Sequence, residues 1–308
     1  MPKIFMRMSH FIRVSILFAA VLSGLLSVLS CTKINGESKM SSCEVSFETI
    51  VTRGPALTDE SMQSFKVIAF LDDEDSTPFM NHQDVTLSDG VYKYSPIKYW
   101  PNDGTVSFFA YSASTDYGTM SAPVFEKDGS NFKATFEYEL PETDGVADAA
   151  SQPDLVFAQK SRCSREDGTV SFAFSHALTA IQFKVAAVPD GTKLQSIEFV
   201  DVCSKANCTV QGTPADNLTY VWTPTSTGSF VQTYSDLLLH AGDMISDISD
   251  DATFFMIPQT FYTDADQTKR LRFTFNVDEE VIQREIYLKD LHAKWLPGEI
   301  HTYTISLD

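Results

Sequence analysis

The feature that most narrows what this 308-residue chain can fold into is a two-residue period of apolar side chains that recurs along most of its length. Phe65, Val67, Ala69 and Leu71 alternate with their neighbours, as do Val106, Phe108 and Ala110, and then Phe132, Ala134, Phe136, Tyr138 and Leu140. The second half keeps the habit in Val170, Phe172 and Phe174, in Ile181, Phe183 and Val185, in Leu271, Phe273, Phe275 and Val277, and in Tyr303, Ile305 and Leu307. Successive side chains of a strand point to opposite faces, so this period gives each segment one apolar face. The aromatic and β-branched residues that fill it suit a half-buried antiparallel strand. Turn signals at Asp89-Gly90, Pro101-Asn102-Asp103-Gly104, Asp128-Gly129, Asp167-Gly168, Asp190-Gly191 and Pro297-Gly298 separate the strands. No stretch carries a helical period for more than a few turns. The predicted architecture is all-β, two sandwiches in tandem.

The first thirty residues stand apart. Lys3, Arg7 and Arg13 precede a nearly unbroken apolar run from Val14 to Leu29, and the first acidic residue is Glu37. A basic start and an apolar middle make an export signal, with a permanent membrane helix as the competing reading because the run approaches the roughly 18–20 residues that span a bilayer. Val28-Leu29-Ser30-Cys31 resembles the lipobox of bacterial lipoproteins. On that resemblance Cys31 takes the lipid and becomes the mature N-terminus, and acyl chains at about 0.8 kcal/mol per buried methylene hold the protein on a membrane without a spanning helix. The chain then divides into a lipoprotein signal peptide (1–30), an N-terminal segment and strand (31–53), and sandwiches over 54–161 and 162–308. The boundary between the sandwiches is drawn in the polar, small-residue stretch from Glu142 to Gly168, near Ser161, with the strand at Asp154 to Ala158 assigned to the first sandwich.

Charge excludes one class of partner. Removing residues 1–30 removes three basic and no acidic side chains, leaving 23 − 3 = 20 against 41, a net charge of 20 − 41 = −21. Such a body repels nucleic acid phosphates and anionic lipid. Cys43, Cys163, Cys203 and Cys208 remain besides Cys31. Export permits disulfides, and Cys203-Ser-Lys-Ala-Asn-Cys208 is read either as a bridge across a tight turn or as two buried thiols.

Catalytic chemistry is not evident. There is no Gly-x-Ser-x-Gly elbow, no phosphate-cradling glycine loop and no His-Glu-x-x-His pair. The chain is read as a non-enzyme with no cofactor and no metal. The acidic stretches Asp72 to Thr77 and Ser246 to Asp251 are oxygen-rich but lack the alternating ligands and glycine of a calcium loop, so they read as solvated loops. His176 reads as a core or edge histidine satisfied by backbone bonds. Trp100 and Trp295, each just ahead of a turn, are either platforms for stacking sugars or caps on a sandwich core.

Four segments in order, "YSPIKYWPNDGTVSFFAYSA", "QPDLVFAQ", "VSFAFSHALTAIQFKV" and "WLPGEIHTYTISLD", resemble the fimbrillin family of Gram-negative anaerobes, the type V pilins and their major-fimbria-like relatives. The resemblance implies two transthyretin-like sandwich domains, export as an outer-membrane lipoprotein, assembly with other subunits into cell-surface fimbriae, a role in adhesion to host or bacterial surfaces, and no enzymatic activity. It also implies that an arginine-specific protease removes the segment ahead of the first domain and that another subunit's strand fills the vacated groove. Cys43, Val45, Phe47, Thr49 and Val51 alternate in a strand that ends at Thr52-Arg53 before Gly54-Pro55, so Arg53 matches the processing position and Val45, Phe47 and Val51 the displaced strand. An edge-strand charge is the plainer reading of Arg53. The chain ends on the "HTYTISLD" strand with no evident donor tail. Stalk, tip and anchor roles therefore stay open, beside a non-polymerising surface lipoprotein that binds glycans through Trp100 or Trp295.

Overall fold

The computed structural model describes residues 44–51, 62–73, 77–112, 120–128, 131–143, 146–147, 149, 152–249, 252–262 and 268–307. Cys31, Cys43 and Arg53 lie outside them. Nearly every described segment is a strand. A seven-stranded sheet runs in the order β1 (Ser46–Val51), β11 (Thr169–His176), β10 (Val156–Cys163), β5 (Val106–Ser112), β2 (Ser64–Leu71), β3 (Met80–Ser88) and β4 (Val91–Lys93). A second sheet runs β17 (Glu280–Tyr287), β16 (Arg270–Val277), β13 (Lys193–Gly212), β7 (Asn131–Glu139) and β6 (Val124–Asp128), with β14 (Leu218–Leu238) also paired to β13. Three further strands, β15 (Phe254–Met256), β12 (Thr179–Ala187) and β18 (Ile300–Ser306), form a third sheet, and β8 (Glu142–Thr143) pairs with β9 (Val146–Ala147). Among the described residues the helical elements are two one-turn α-helices, α1 (Ile245–Ile248) and α2 (Leu288–Leu291), and a 3-10 turn at Arg165–Asp167. Among the described residues no helix is long and apolar enough to cross a membrane.

The predicted alternation is realised strand by strand. On β7 the side chains of Phe132, Ala134, Phe136 and Tyr138 are buried and their neighbours are partly exposed. On β16 the same holds for Leu271, Phe273 and Phe275. Turn chemistry sets the hairpins. Asp89 and Gly90 both take positive φ (54° and 76°) between β3 and β4, and Asp278 and Glu279 do so (50° and 65°) between β16 and β17, the twist that two-residue hairpins require.

Three strands of the seven-stranded sheet depart from half-burial. β2, β5 and β10 lie in the middle of the seven-stranded sheet and bury both faces. Val67, Phe108 and Val156 belong to one apolar cluster, whereas Ile68, Phe109 and Phe157 belong to another. The continuous runs Val67–Phe70 and Val106–Tyr111 carry this signature, because a strand covered on both sides has no solvent face to make polar. The seven-stranded sheet is thus a wall between two cores. The smaller is aromatic and made by residues from Val45 to Phe174; the larger runs from Ile68 on β2 to Ile305 on β18.

Connections cross residue 161, where the sequence reading divides the chain. That residue lies inside β10, and β11 beyond it joins the seven-stranded sheet. The hairpin of β13 and β14 is also long. Twenty residues of extended chain span about 65 Å, and β13 pairs with β16 over Lys193–Val200 and with β7 over Lys205–Gln211. Cys203 and Cys208 both sit on β13 as buried free thiols. Five residues of strand separate them by about 16 Å, so the fold takes the buried-thiol reading over the bridge across a turn. Burial pushes the Cys203 thiol up to about 11 and Cys163 to about 12, which leaves both unreactive.

Candidate functional site

The first described strand occupies the site of interest. β1 pairs in parallel with β11, from Ser46 opposite Thr169 to Val51 opposite Phe174, a partner 123 residues away in the chain. Its inner face inserts Val45 and Phe47 into the smaller core, both buried. Phe47 stacks on Phe172 with centroids 5.6 Å apart and meets Phe65, Phe108 and Tyr94 at 6.2, 6.0 and 5.4 Å. The other face carries Glu48 and Ile50 to solvent. Val51 holds the strand register with its backbone; its side chain lies outside the described residues.

The second side of β1 is held differently. The Val45 amide donates to the Lys98 carbonyl (2.9 Å), Glu44 bridges to Tyr99, and the Tyr94 hydroxyl donates to the Val45 carbonyl (2.7 Å). Burial pushes the Tyr94 hydroxyl up to about 12, so it keeps its proton and its donor role at neutral pH. Thr49 Oγ1 lies 3.0 Å from the Tyr92 hydroxyl, which donates onward to the Met62 carbonyl. β1 and β4, the two ends of the sheet in hydrogen-bond order, therefore meet. The sheet curls around its aromatic contents, and β1 is the stave that closes it.

This geometry defines what loss of the stave exposes. Val45 and Phe47 each stabilise the fold by about 1.5–3 kcal/mol when fully buried, and aromatic pairs add about 0.5–1.5 kcal/mol beyond their area. Without β1, the ring faces of Phe172, Phe65 and Phe108 open to water, and the outer edge of β11 presents unpaired amides and carbonyls. The result is an apolar groove flanked by hydrogen-bonding edges, the shape that a β-strand completes. Tyr92 and Tyr94, which clasp β1, were not singled out in the sequence. Their alternation in Val91-Tyr92-Lys93-Tyr94 is the signal that could have found them.

Other candidate residues fall elsewhere. Trp100 is 3% exposed and packs edge-on against Phe108 at 5.8 Å, on the floor of the same core. Trp295 is 1% exposed, packs on Phe261 at 4.8 Å and donates from Nε1 to the Tyr303 hydroxyl at 2.9 Å. Both are core caps: their indole faces are covered, and a stacking sugar has no face to meet. His176 is satisfied by a side chain rather than only by backbone: its Nδ1 lies 2.9 Å from Asp154 Oδ1, with both groups buried. The backbone expectation missed this because Asp154, the partner, sits two residues ahead of β10, in the segment leading into the preceding strand. Asp72, in the first acidic stretch, accepts from Thr105 and Ser107 at 2.5 and 2.7 Å, a structural role.

Comparison with known proteins agrees with this architecture. A fimbrillin-like family model matches residues 52–308. Among solved structures, a fimbrial protein from Bacteroides vulgatus is similar to the chain, with a TM-score of 0.51 and 19% identity over 85% of this chain and 94% of that one. A candidate cell adhesion protein from Bacteroides uniformis is similar too, with a TM-score of 0.51 and 15% identity over 86% of this chain and 93% of that one. At these identities the likeness is one of fold. None of the curated proteins compared with the chain matches it.

Proposed function

The chain belongs to the fimbrillin-like family, and from that premise we propose that it is a structural subunit of cell-surface fimbriae that serve adhesion, assembled by exchange of β1 for a strand of another subunit. In this reading Cys31 carries the lipid that delivers the protein to the outer membrane, and cleavage after Arg53 frees β1. Two sandwiches, joined by the β13–β14 hairpin that runs along both, form the shaft. The body acts mechanically and performs no catalysis.

The observation that carries the reading is the placement of β1. It is the first described strand, it ends two residues before Arg53, and it closes an aromatic core through a single ladder and a clasp of tyrosines. A strand in the middle of the chain cannot leave without unthreading its neighbours; this one leaves once its C-terminal link is cut. The incoming strand has to run parallel to β11 and supply apolar side chains two residues apart, to refill the positions of Val45 and Phe47. The buried tryptophans support a shaft over a sugar-binding platform.

Brief treatment of the full chain with an arginine-specific protease tests the proposal. Cleavage after Arg53 is expected to convert a monomer into a species that oligomerises or captures a synthetic peptide with the 43–51 sequence, whereas Arg53→Ala stays monomeric. A cut protein that remains monomeric and binds no strand would overturn polymerisation and leave a tip, an anchor or a glycan-binding lipoprotein as the reading.

A further inference from the structure

Far along the chain from β1, three side chains with metal-ligand chemistry meet on the turn between α2 and β18. His292, Glu299 and His301 each place one ligand atom within 4.8 Å of the other two. His301 Nε2 lies 3.1 Å from Glu299 Oε2, and the two imidazole rings pack edge to face with centroids 4.3 Å apart. Zinc bonds of about 2.0–2.2 Å to nitrogen and oxygen place tetrahedral ligands roughly 3.4 Å from one another. The carboxylate and His301 already stand near that spacing, and the ligand atom of His292 lies within 4.8 Å of both. We propose that His292, Glu299 and His301 form a binding site for one divalent transition-metal ion of the zinc class.

The site is built rather than incidental, because the backbone that carries it is fixed at several points. His292 follows α2 and donates its amide to the Leu288 carbonyl at 2.9 Å, while Leu288 and Leu291 anchor that turn in the larger core. The Trp295 amide donates to the Gln259 carbonyl at 2.8 Å, and its buried indole staples the middle of the turn. Gly298, at φ +72°, turns the chain and donates to the Leu178 carbonyl at 2.9 Å. The Glu299 carbonyl accepts from the Ala180 amide at 2.9 Å, where β18 joins β12 in parallel. Little conformational entropy remains to be lost when an ion binds.

Ligand type selects the ion. Two imidazoles and one carboxylate suit zinc and its neighbours in the first transition row, whereas calcium and magnesium take oxygen sets. Glu299 is about two-fifths exposed (43% of its side chain), so an ion reaches the site from solvent, and the acidic net charge of −18 favours the approach of a cation. Three protein ligands leave a coordination position to water. The ion would tie the start of β18 to the end of α2, closing an edge strand of the three-stranded sheet.

Zinc chloride titrated into the purified full chain by calorimetry tests the site, after dialysis against a chelator. One ion per chain is expected at micromolar affinity or tighter, with a melting temperature that rises with zinc concentration. His292→Ala and His301→Ala should each weaken binding at least tenfold, and His240→Ala should leave it unchanged. Should either variant fail to fold, histidine ring NMR of the unaltered chain decides: zinc should move the ring signals of His292 and His301 and leave those of His82 and His176 in place. Absence of binding at 100 µM zinc, as an order of magnitude for a weak surface site, would overturn the proposal. So would stoichiometric binding that survives His292→Ala and His301→Ala combined in one chain, or ring signals that move only elsewhere.

Discussion

The two cores on either side of the seven-stranded sheet are built from the same kinds of residue and closed in opposite ways. Phe108 and Val156 face one core; Phe109 and Phe157, their immediate neighbours on the same strands, face the other. The larger core is covered by β7 and the β13–β14 hairpin, elements embedded mid-chain of which β7 and β13 are paired on both sides, so its cover cannot leave without unfolding the protein. The smaller core is covered on one side by β1, a strand with one full ladder and chain continuity at its ends alone. The same kind of apolar burial therefore gives unequal permanence. What decides between a permanent wall and a removable one is topology, since local opening costs only the contacts of the unit that opens.

The largest expected effect separates the two cores directly. Phe157 is fully buried in the larger core, 5.3 Å from Phe136 and 6.1 Å from Tyr220. Phe157→Ala should cost about 3–5 kcal/mol of global stability and lower the melting temperature of every probe together. Phe47→Ala removes a ring of the same size from the smaller core, yet β1 can detach by itself, so the loss is expected as faster amide exchange at residues 45–51 and 169–174 with a smaller fall in melting temperature. Matching global losses in the two variants would mean that β1 is no separable unit.

An intermediate effect probes how the long hairpin is locked to the wall. The position that a Cβ on Gly212 would take is filled by the Gln159 carboxamide of β10. Gln159 in turn accepts from the Phe132 amide and donates to Ser161 and the Thr213 carbonyl. Gly212→Ala should displace that side chain and cost about 1–3 kcal/mol through unpaired buried groups, read as a lower urea midpoint with unchanged slope. A neutral result would show that the hairpin tip is not locked through Gln159.

The smallest effect sharpens the account of the clasp. Tyr94→Phe deletes the hydroxyl that donates to the Val45 carbonyl and should weaken the hold on β1 by about 0.5–1.5 kcal/mol. Strand capture after cleavage at Arg53 should then quicken several-fold, with the melting temperature of the uncut protein little changed. A slower capture would place the tyrosine in the groove that receives the incoming strand, rather than in the clasp on the outgoing one.

Much of this was legible in the sequence, and the part that was not has a common cause. Alternation placed Val45 and Phe47 on one face of a strand and Glu48 on the other, as found, because side-chain direction follows from backbone geometry alone. It could not tell that β1 would lie parallel to β11, since register with a strand 123 residues distant depends on every element between. His176 reads in the sequence as a core or edge histidine, but its partner Asp154 is not legible there, because the pairing arises where β10 and β11 approach. The sequence favours core caps over sugar platforms for Trp100 and Trp295, and their buried surroundings make them caps.

By itself, then, the sequence determined the class of the fold: period two, aromatic content and turn residues leave an all-β protein as the economical solution, and these are local properties. The tertiary structure alone decided that one sheet would serve two cores, that the first described strand would close the smaller of them, and that His292, Glu299 and His301 would converge. Each of these depends on long-range pairing, in which a strand offers two identical hydrogen-bonding edges and the packing of distant segments chooses what meets them.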